Sequence, residues 1–236
     1  MLSLAFVTGT EPGKWFKRFT QSTPHALDTK GVDDPFAELV SDTSPTSLAL
    51  MRLPDSRVTD EFHVVRLYEE VPGVAVPKES LFAELGERVN YRDLEGEIIN
   101  WTFQPQATLD ELRAALQVVA ANVGVVLAPL PLLKVLSKKQ IACLEVRDAP
   151  LVETEIALVW RKADDGDVIQ DFVGVAKGRT ARSSRGSRQG ASTRRRKQVS
   201  DSRNAQGKRT YTKHGKKRKG VNLKGPQTGV KRRRRK

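Results

Sequence analysis

The chain of 236 residues has one cysteine and three histidines, so several kinds of site have little support. A single cysteine, Cys143, cannot form an internal disulfide or a multi-cysteine metal site. His25, His63 and His214 are scattered without acids or cysteines at ligand spacing, which leaves metal binding without support. Cys143 lies in the apolar run 141–144, which is typical of a buried strand.

The sequence also lacks a catalytic arrangement. Gly9, Gly13 and Lys14 resemble a phosphate-binding loop, but a Walker A motif needs four residues between its glycines and Ser or Thr after the lysine. Here three residues separate the glycines, and Trp15 follows the lysine. No serine in residues 1–176 lies in a Gly-x-Ser-x-Gly elbow, and nothing suggests a Ser/His/Asp triad. We therefore predict no enzymatic activity and no cofactor.

Long apolar runs are scarce as well. The first seven residues have no basic leader and are too short for a secretory signal, so we expect a cytoplasmic protein. The uncharged segment 114–133 has about the length that spans a bilayer. Pro129 and Pro131 would break a helix there, so we predict no membrane span. The segment divides better into three elements: a helix at 109–122, a strand at 124–128 and a helix at 131–136.

Charge is distributed unevenly along the chain. Residues 177–236, here called the tail, hold 24 of the 41 Lys and Arg residues and one acid, Asp201, a net charge of +23. Residues 1–176, here called the body, hold 17 basic and 27 acidic residues, a net charge of −10. The overall charge of +13 is therefore an average over two unlike polymers.

The tail has too few large apolar residues to form a core. Between 178 and 236 there are five: Val199, Tyr211, Val221, Leu223 and Val230. Ser, Gly, Gln, Lys and Arg dominate, so little apolar surface is available to offset the entropy of ordering the chain. We predict that the tail is disordered when free.

Fourteen tail residues form three basic clusters that we predict to bind nucleic acid. They are Arg194, Arg195, Arg196, Lys197, Lys216, Lys217, Arg218, Lys219, Lys231, Arg232, Arg233, Arg234, Arg235 and Lys236. Neutralising six to ten phosphates would contribute about three to five decades of salt-sensitive affinity through counterion release. Sequence preference should be poor, because the lone aromatic residue, Tyr211, offers little base stacking. DNA and RNA both stay open, and so do a solvated tail and one folded back on the acidic body.

The body alternates strand-like and helix-like stretches, which predicts an α/β fold with largely parallel sheets. Its length suffices for one domain or for two small lobes. Thr108 and Glu111 have the spacing of a capping box before a helix. The predicted strands are 2–7, 48–53, 64–68, 71–77, 97–101, 124–128 and 155–160; the predicted helices are 13–21, 110–121, 131–136 and 168–177, with a helical turn at 91–94.

In element order and residues, the body resembles the effector-binding (substrate-binding) domain of LysR-type transcriptional regulators. The segments that carry the resemblance lie in family order and span nearly all of the body: Leu2–Thr10, Pro12–Trp15, Leu48–Pro54, Leu67–Pro72, Val74–Lys78, Val118–Pro129, Ile156–Arg161 and Phe172–Val175.

The resemblance implies a type 2 periplasmic-binding-protein fold, in which two α/β lobes joined by two crossover strands hold a small effector. Lobe one would be about 1–70 and 156–176, and lobe two about 71–155. The crossovers would lie near 69–74 and 154–158. The family also implies self-association as a homodimer.

Free backbone amides between Val7 and Gly13, with the hydroxyls of Thr8 and Thr10, would suit a carboxylate or another anion. By position in the resemblance, six residues are candidates for the cleft wall: Thr8, Thr10, Arg52, Asn100, Thr102 and Gly124. Other interpretations stay open. Gly9 and Gly13 could serve as turn glycines, Thr10 could cap a helix, and Arg52 could pair with an acid such as Asp55.

The chain departs from the family pattern in two places. The family's DNA-binding helix-turn-helix precedes the first strand, whereas Met1 lies at that strand, so we expect no DNA reading of the family's kind. Lobe two has only residues 102–108 where the family has a longer segment, so its effector pocket is expected to be pruned.

Two functions follow from these observations. The first is a regulatory binding protein with a small anionic effector in the interlobe cleft and nonspecific nucleic-acid binding through the tail. The alternative is a nucleic-acid- or ribosome-associated protein, in the nucleoid or on RNA, whose body is a scaffold without a ligand. An enzyme or transporter subunit on this fold is disfavoured by the missing catalytic constellation.

Overall fold

The computed structural model describes residues 1–86 and 88–178, which belong to one compact unit. The predicted disorder of the tail and its three basic clusters lie outside the described residues. The described strands are β1 (Leu2–Val7), β2 (Leu27–Val32), β3 (Leu48–Leu53), β4 (Phe62–Glu69), β5 (Pro72–Pro77), β6 (Val89–Asn90), β7 (Ile99–Thr102), β8 (Val125–Pro129), β9 (Ile141–Arg147) and β10 (Glu155–Arg161). The described α helices are α1 (Gly13–Ser22), α2 (Pro35–Val40), α3 (Leu81–Leu85), α4 (Leu109–Ala120), α5 (Leu130–Leu136) and α6 (Asp167–Ala176).

The strands form two five-stranded sheets. The first lobe has the strand order β2-β1-β3-β10-β4 with helices α1, α2 and α6, and the second lobe has the order β6-β9-β5-β8-β7 with α3, α4 and α5. The chain passes between the sheets twice, after β4 and before β10. The amide of Glu70 donates to the carbonyl of Thr154 at 2.8 Å, so the two crossovers lie side by side.

Each sheet contains one reversed strand. β10 runs antiparallel to β3 and β4, and β5 runs antiparallel to β8 and β9, while the other described pairs are parallel. The prediction of largely parallel sheets is therefore wrong. The antiparallel pairs arise from the crossovers, because β5 and β10 each start where the chain enters a lobe and run away from the cleft. The remaining strands point their carboxyl ends towards it.

Strands with apolar side chains on both faces form the centre of each lobe. In the first lobe Phe19 of α1 packs against Phe172 of α6, with ring centroids 5.4 Å apart, over buried β1, β3 and β10 side chains. In the second lobe α4 buries Leu112, Leu116 and Val119 against β8 and β5. This burial on both faces is the main stabilising contribution to each sheet.

The uncharged segment 114–133 divides into the end of α4, β8 and the start of α5, as predicted. In the part of the chain that the structure describes, every helix is too short or too polar to cross a membrane. Cys143 lies in β9, half-buried, where its thiol donates to the Ser137 hydroxyl. Burial raises the pKa of this thiol.

Candidate functional site: the cleft between the lobes

A cavity of about 510 Å³ lies where the carboxyl ends of three first-lobe strands meet a loop of the second lobe. In folds of this kind ligands bind at the carboxyl ends of strands, where the loops can provide specific groups. The first lobe contributes residues that end or follow β1, β2 and β3, and the second lobe contributes the loop from Phe103 to Asp110. The lining includes Val7, 33–35, 51–57, Phe103 and 105–110.

One partly exposed ion-pair cluster lies on the first-lobe side of the cavity. The guanidinium of Arg57 pairs with Asp34 and with Asp55, each at 2.7 Å, and lies 4.9 Å from the centroid of the Phe36 ring. Partial burial opposes ionisation of Asp34, but hydrogen bonds from Arg57 and from the Ala37 amide outweigh it and lower the pKa of Asp34. The pKa of Arg57 is raised by its hydrogen bonds to both carboxylates.

A second ion pair joins the two lobes. Asp33, which follows β2, accepts a hydrogen bond of 2.6 Å from the Thr8 hydroxyl. It also pairs at 2.8 Å with Arg113 of α4, which pairs with Asp110 as well. Partial burial works against ionisation of Asp33, but the hydrogen bonds from Thr8 and Arg113 lower its pKa. The lobes are therefore held together at the cleft by a charged contact that water can reach.

A third ion pair is shielded from water. Arg52 of β3 donates from Nε and Nη2 to the two oxygens of Glu70, with Nη2 to Oε1 at 2.9 Å. The side chains are 8% and 1% exposed. Nη2 also approaches the carbonyl oxygen of Thr8 at 3.4 Å, and the guanidinium carbon lies 5.9 Å from the centroid of the Phe103 ring.

The charges on the cavity wall are unequal in number. Four aspartates line it, Asp33, Asp34, Asp55 and Asp110, against two arginines, Arg52 and Arg57. Both arginines already pair with carboxylates, and each of the four aspartates pairs with Arg57 or with Arg113. The wall therefore carries an excess of negative charge and many hydrogen-bond acceptors.

The structure brings Arg52 into the cavity wall and places Thr8 at its edge beside Asp33. Thr10 lies instead in a second cavity, of about 580 Å³, with Trp15 and Tyr68. Its hydroxyl donates to the Val7 carbonyl at 2.7 Å, and α1 has no side-chain cap, so the helix-cap interpretation of Thr10 is wrong.

The other predicted residues belong to the second lobe. Thr102 ends β7, one residue before Phe103 of the cavity wall. Asn100 donates to the Val123 carbonyl at 2.7 Å, and Gly124 precedes β8 with φ of 59°. These two residues lie together at the amino-terminal ends of β7 and β8, away from the cavity. A Cβ on Gly124 would lie 2.2 Å from the Ile98 carbonyl oxygen, so this glycine is required by close backbone packing.

The structure also shows the conformation of Gly9 and the partner of Arg52. Gly9 has φ of 96°, and a Cβ there would approach the Leu132 backbone of the second lobe at 3.1 Å, which confirms it as a turn glycine at a close interlobe contact. Arg52 does pair with an acid, but that acid is Glu70, whereas Asp55 pairs with Arg57.

Sequence reasoning missed Asp33, Glu70, Phe103 and Arg113 as cleft residues. The sequence does contain a signal for Asp33, because Asp33-Asp34-Pro35 has the composition of a strand end followed by a helix cap. In the structure the Asp34 side chain accepts a hydrogen bond from the Ala37 amide, as a capping residue does. Within residues 1–86 and 88–178, no three His, Cys, Asp or Glu side chains are grouped so that they could hold a metal ion.

Neither a family model nor a curated protein matches the chain. Solved structures do match. CbnR, a LysR family transcriptional regulator, superimposes with a TM-score of 0.54 at 18% identity over 75% of this chain and 68% of that chain. The BenM effector-binding domain with its effector benzoate gives 0.55 at 14% identity over 75% and 90%. The fold is that of a LysR effector-binding domain. The two-lobed periplasmic-binding-protein-like fold predicted from the sequence is thereby confirmed.

A further match is full-length CbnR complexed with its target DNA, with a TM-score of 0.55 at 16% identity over 76% of this chain and 69% of that chain. Sequence identities of this size establish the common fold. The ligand and the partners of this chain are therefore inferred from its own residues.

Proposed function

We propose that the protein is a regulatory binding protein that holds a small molecule in the cleft between its lobes. The observation that carries this proposal is the cavity of about 510 Å³ at the converging carboxyl ends of β1, β2 and β3. Phe103 of the second lobe faces polar groups of the first, a combination typical of small-molecule sites. The same fold holds benzoate in the BenM domain.

The charges of the cleft bear on the ligand predicted from the sequence, a small anion. An anion would meet four aspartates and two arginines that are already paired. Like charges at short range disfavour binding, whereas hydrogen-bond donors would find ionised acceptors at Asp33 and Asp34. A neutral or positively charged ligand fits this wall better than the predicted anion.

We further propose that the basic tail binds DNA or RNA without sequence preference. Its net charge of +23 and its three clusters support this, since such a chain can neutralise many phosphates. The body has the opposite charge, −10, and provides the place for the ligand. On this proposal the protein acts in the cytoplasm on the nucleoid or on RNA, and it associates as a homodimer.

One observation favours a second candidate, a nucleic-acid-associated protein whose body is a scaffold. The Asp33–Arg113 pair joins the two lobes through the protein's own side chains. Lobes joined by their own ion pair need no small molecule to stay together. The two candidates therefore differ in whether any metabolite stabilises the body.

A paired experiment tests the proposal. The full-length protein and a variant truncated after Gln189, which removes all three clusters, are screened against metabolites by thermal shift. Both should gain melting temperature from the same compound, because a ligand that binds the folded state stabilises it. A complete screen without any stabilising compound would support the scaffold instead.

The nucleic-acid arm uses the same two proteins in gel-shift titrations. Full-length protein should bind DNA or RNA of unrelated sequences alike, with affinity falling about 10³- to 10⁵-fold between 50 and 200 mM salt. The truncated variant should lose this binding. Retention of the binding after truncation would contradict the role assigned to the tail. Light scattering after size-exclusion chromatography measures the proposed homodimer.

A further inference from the structure

The contact between Arg52 and Glu70 resembles the contact between a binding-site arginine and the carboxylate of a bound ligand. Arg52 extends from β3 to the cavity wall, and Glu70 follows the last residue of β4 in the first crossover. Two parallel N–H···O contacts join them in the fork geometry by which arginine binds a free carboxylate. At 1% exposure, the Glu70 side chain is the most shielded carboxylate among the described ion pairs.

The fold fixes the position of this carboxylate. The Glu70 amide donates to the Thr154 carbonyl of the second crossover at 2.8 Å, which holds the residue between the two connections. Arg52 is held as well, because β3 is buried on both faces between β1 and β10. The backbones of both partners are therefore fixed by hydrogen bonds to neighbouring strands or crossovers.

We propose that Glu70 is a built-in ligand: from the crossover beside the cavity wall it accepts from the two donors of Arg52, Nε and Nη2, that would otherwise be open to the carboxylate of an anionic effector. Arg52 is then neutralised within the protein itself. Both arginines that line the described cavity are then paired with carboxylates of the protein, and the remaining wall is rich in aspartate. The selection of a neutral or cationic ligand rests on the function proposed above, whereas the internal pairing at Arg52 does not.

One donor of Arg52 stays available to a ligand. Nε and Nη2 are engaged by Glu70 and by the Thr8 carbonyl. Within residues 1–86 and 88–178 no atom accepts a hydrogen bond from Nη1, and the guanidinium lies beside the Phe103 ring. A neutral carbonyl or hydroxyl oxygen can accept from Nη1 while the rest of the molecule packs on Phe103. Glu70 thus acts as a specificity-determining residue of the cleft.

Chemical rescue tests the proposal on the full-length protein. Glu70→Ala removes the carboxylate, leaves a buried unpaired arginine, and should lower the melting temperature by about 10 °C. Acetate, added at constant ionic strength against chloride, should then raise the melting temperature of this variant with the logarithm of its concentration. Wild type, the neighbouring variant Glu69→Ala and the double variant Arg52→Met/Glu70→Ala should not respond.

A second variant covers the case in which Glu70→Ala does not fold. Glu70→Gln keeps the packing but removes the negative charge, so the positive charge of Arg52 is no longer compensated at the cavity, where Nη1 is available. Benzoate should then bind at least about tenfold more tightly than to wild type. The proposal is overturned if acetate stabilises folded Glu70→Ala no more than wild type, or if Glu70→Gln binds benzoate no better than wild type. Because acetate and benzoate are added probes, either result is independent of whether a natural ligand is found in the metabolite screen.

Discussion

The two arginines of the cavity wall, Arg52 and Arg57, are both paired with carboxylates, but in different surroundings. Arg52 and Glu70 are 8% and 1% exposed, whereas the side chains of Arg57 and Asp34 are 47% and 45% exposed. A buried pair has lost its hydration and cannot separate without leaving an uncompensated charge, while an exposed pair can exchange its partner for water. The charge of Arg57 is therefore open to competition, and the charge of Arg52 is not.

The largest effect is expected from breaking the buried pair. Arg52→Met leaves the Glu70 carboxylate buried without a partner and should lower the free energy of unfolding by about 3–5 kcal/mol. Replacing both partners, as in Arg52→Met/Glu70→Leu, should recover most of this loss, because a well-packed apolar pair avoids the desolvation of two charges. Urea denaturation of the three proteins measures both values. Equal stability of Arg52→Met and wild type would contradict the shielding of this pair.

Acid should weaken the exposed contacts of the cleft. The pKa values of Asp33 and Asp34 are lowered in the folded protein from an ordinary 3.8. Their ionised forms therefore stabilise the fold well above that pH, and the contribution is lost as the pH falls through 3.8 towards the lowered values. The urea midpoint at about pH 6 and about pH 3 measures the loss. Asp33→Asn/Asp34→Asn, which retains a capping side chain, should show a smaller drop over this range.

The smallest effect on stability is expected at Arg57. Arg57→Gln removes the exposed pair with Asp34 and the pair with Asp55, whose side chain is 13% exposed. Because the guanidinium itself is reached by water, the loss should be only about 1 kcal/mol, and it should shrink further in high salt. The same urea titrations, repeated with and without added salt, provide the measurement. A loss as large as that of Arg52→Met would show that exposure does not separate the two pairs.

Strands buried on both faces were the most predictable parts of the fold. β1, β3 and β10 are mostly apolar, and their predicted bounds differ from the structure by at most one residue. The edge strand β2 was missed, because its sequence, Leu-Asp-Thr-Lys-Gly-Val, is polar and mostly exposed, and its order comes from pairing with β1. Edge strands of this kind carry little apolar pattern of their own.

The site was less predictable than the strands. Arg52 could be placed from its position near the end of β3, but its partner is Glu70, which the crossover brings back to it, while the nearer Asp55 binds Arg57. Asn100 lies in β7 and Gly124 directly precedes β8, and both strands reach the cleft, but the two residues lie at the amino-terminal ends. Strand direction and the three-dimensional path of the crossovers decide both cases, and neither is encoded in local pattern.

The central claim, that the cleft holds a small molecule that is not an anion, is tested most directly with ligands of one shape and three charges. Benzoate, benzamide and benzamidine are titrated into the full-length protein, and the melting temperature is recorded for each. The account predicts stabilisation by benzamide or benzamidine and none by benzoate, with the effect lost in Phe103→Ala. Stabilisation by benzoate alone would contradict it.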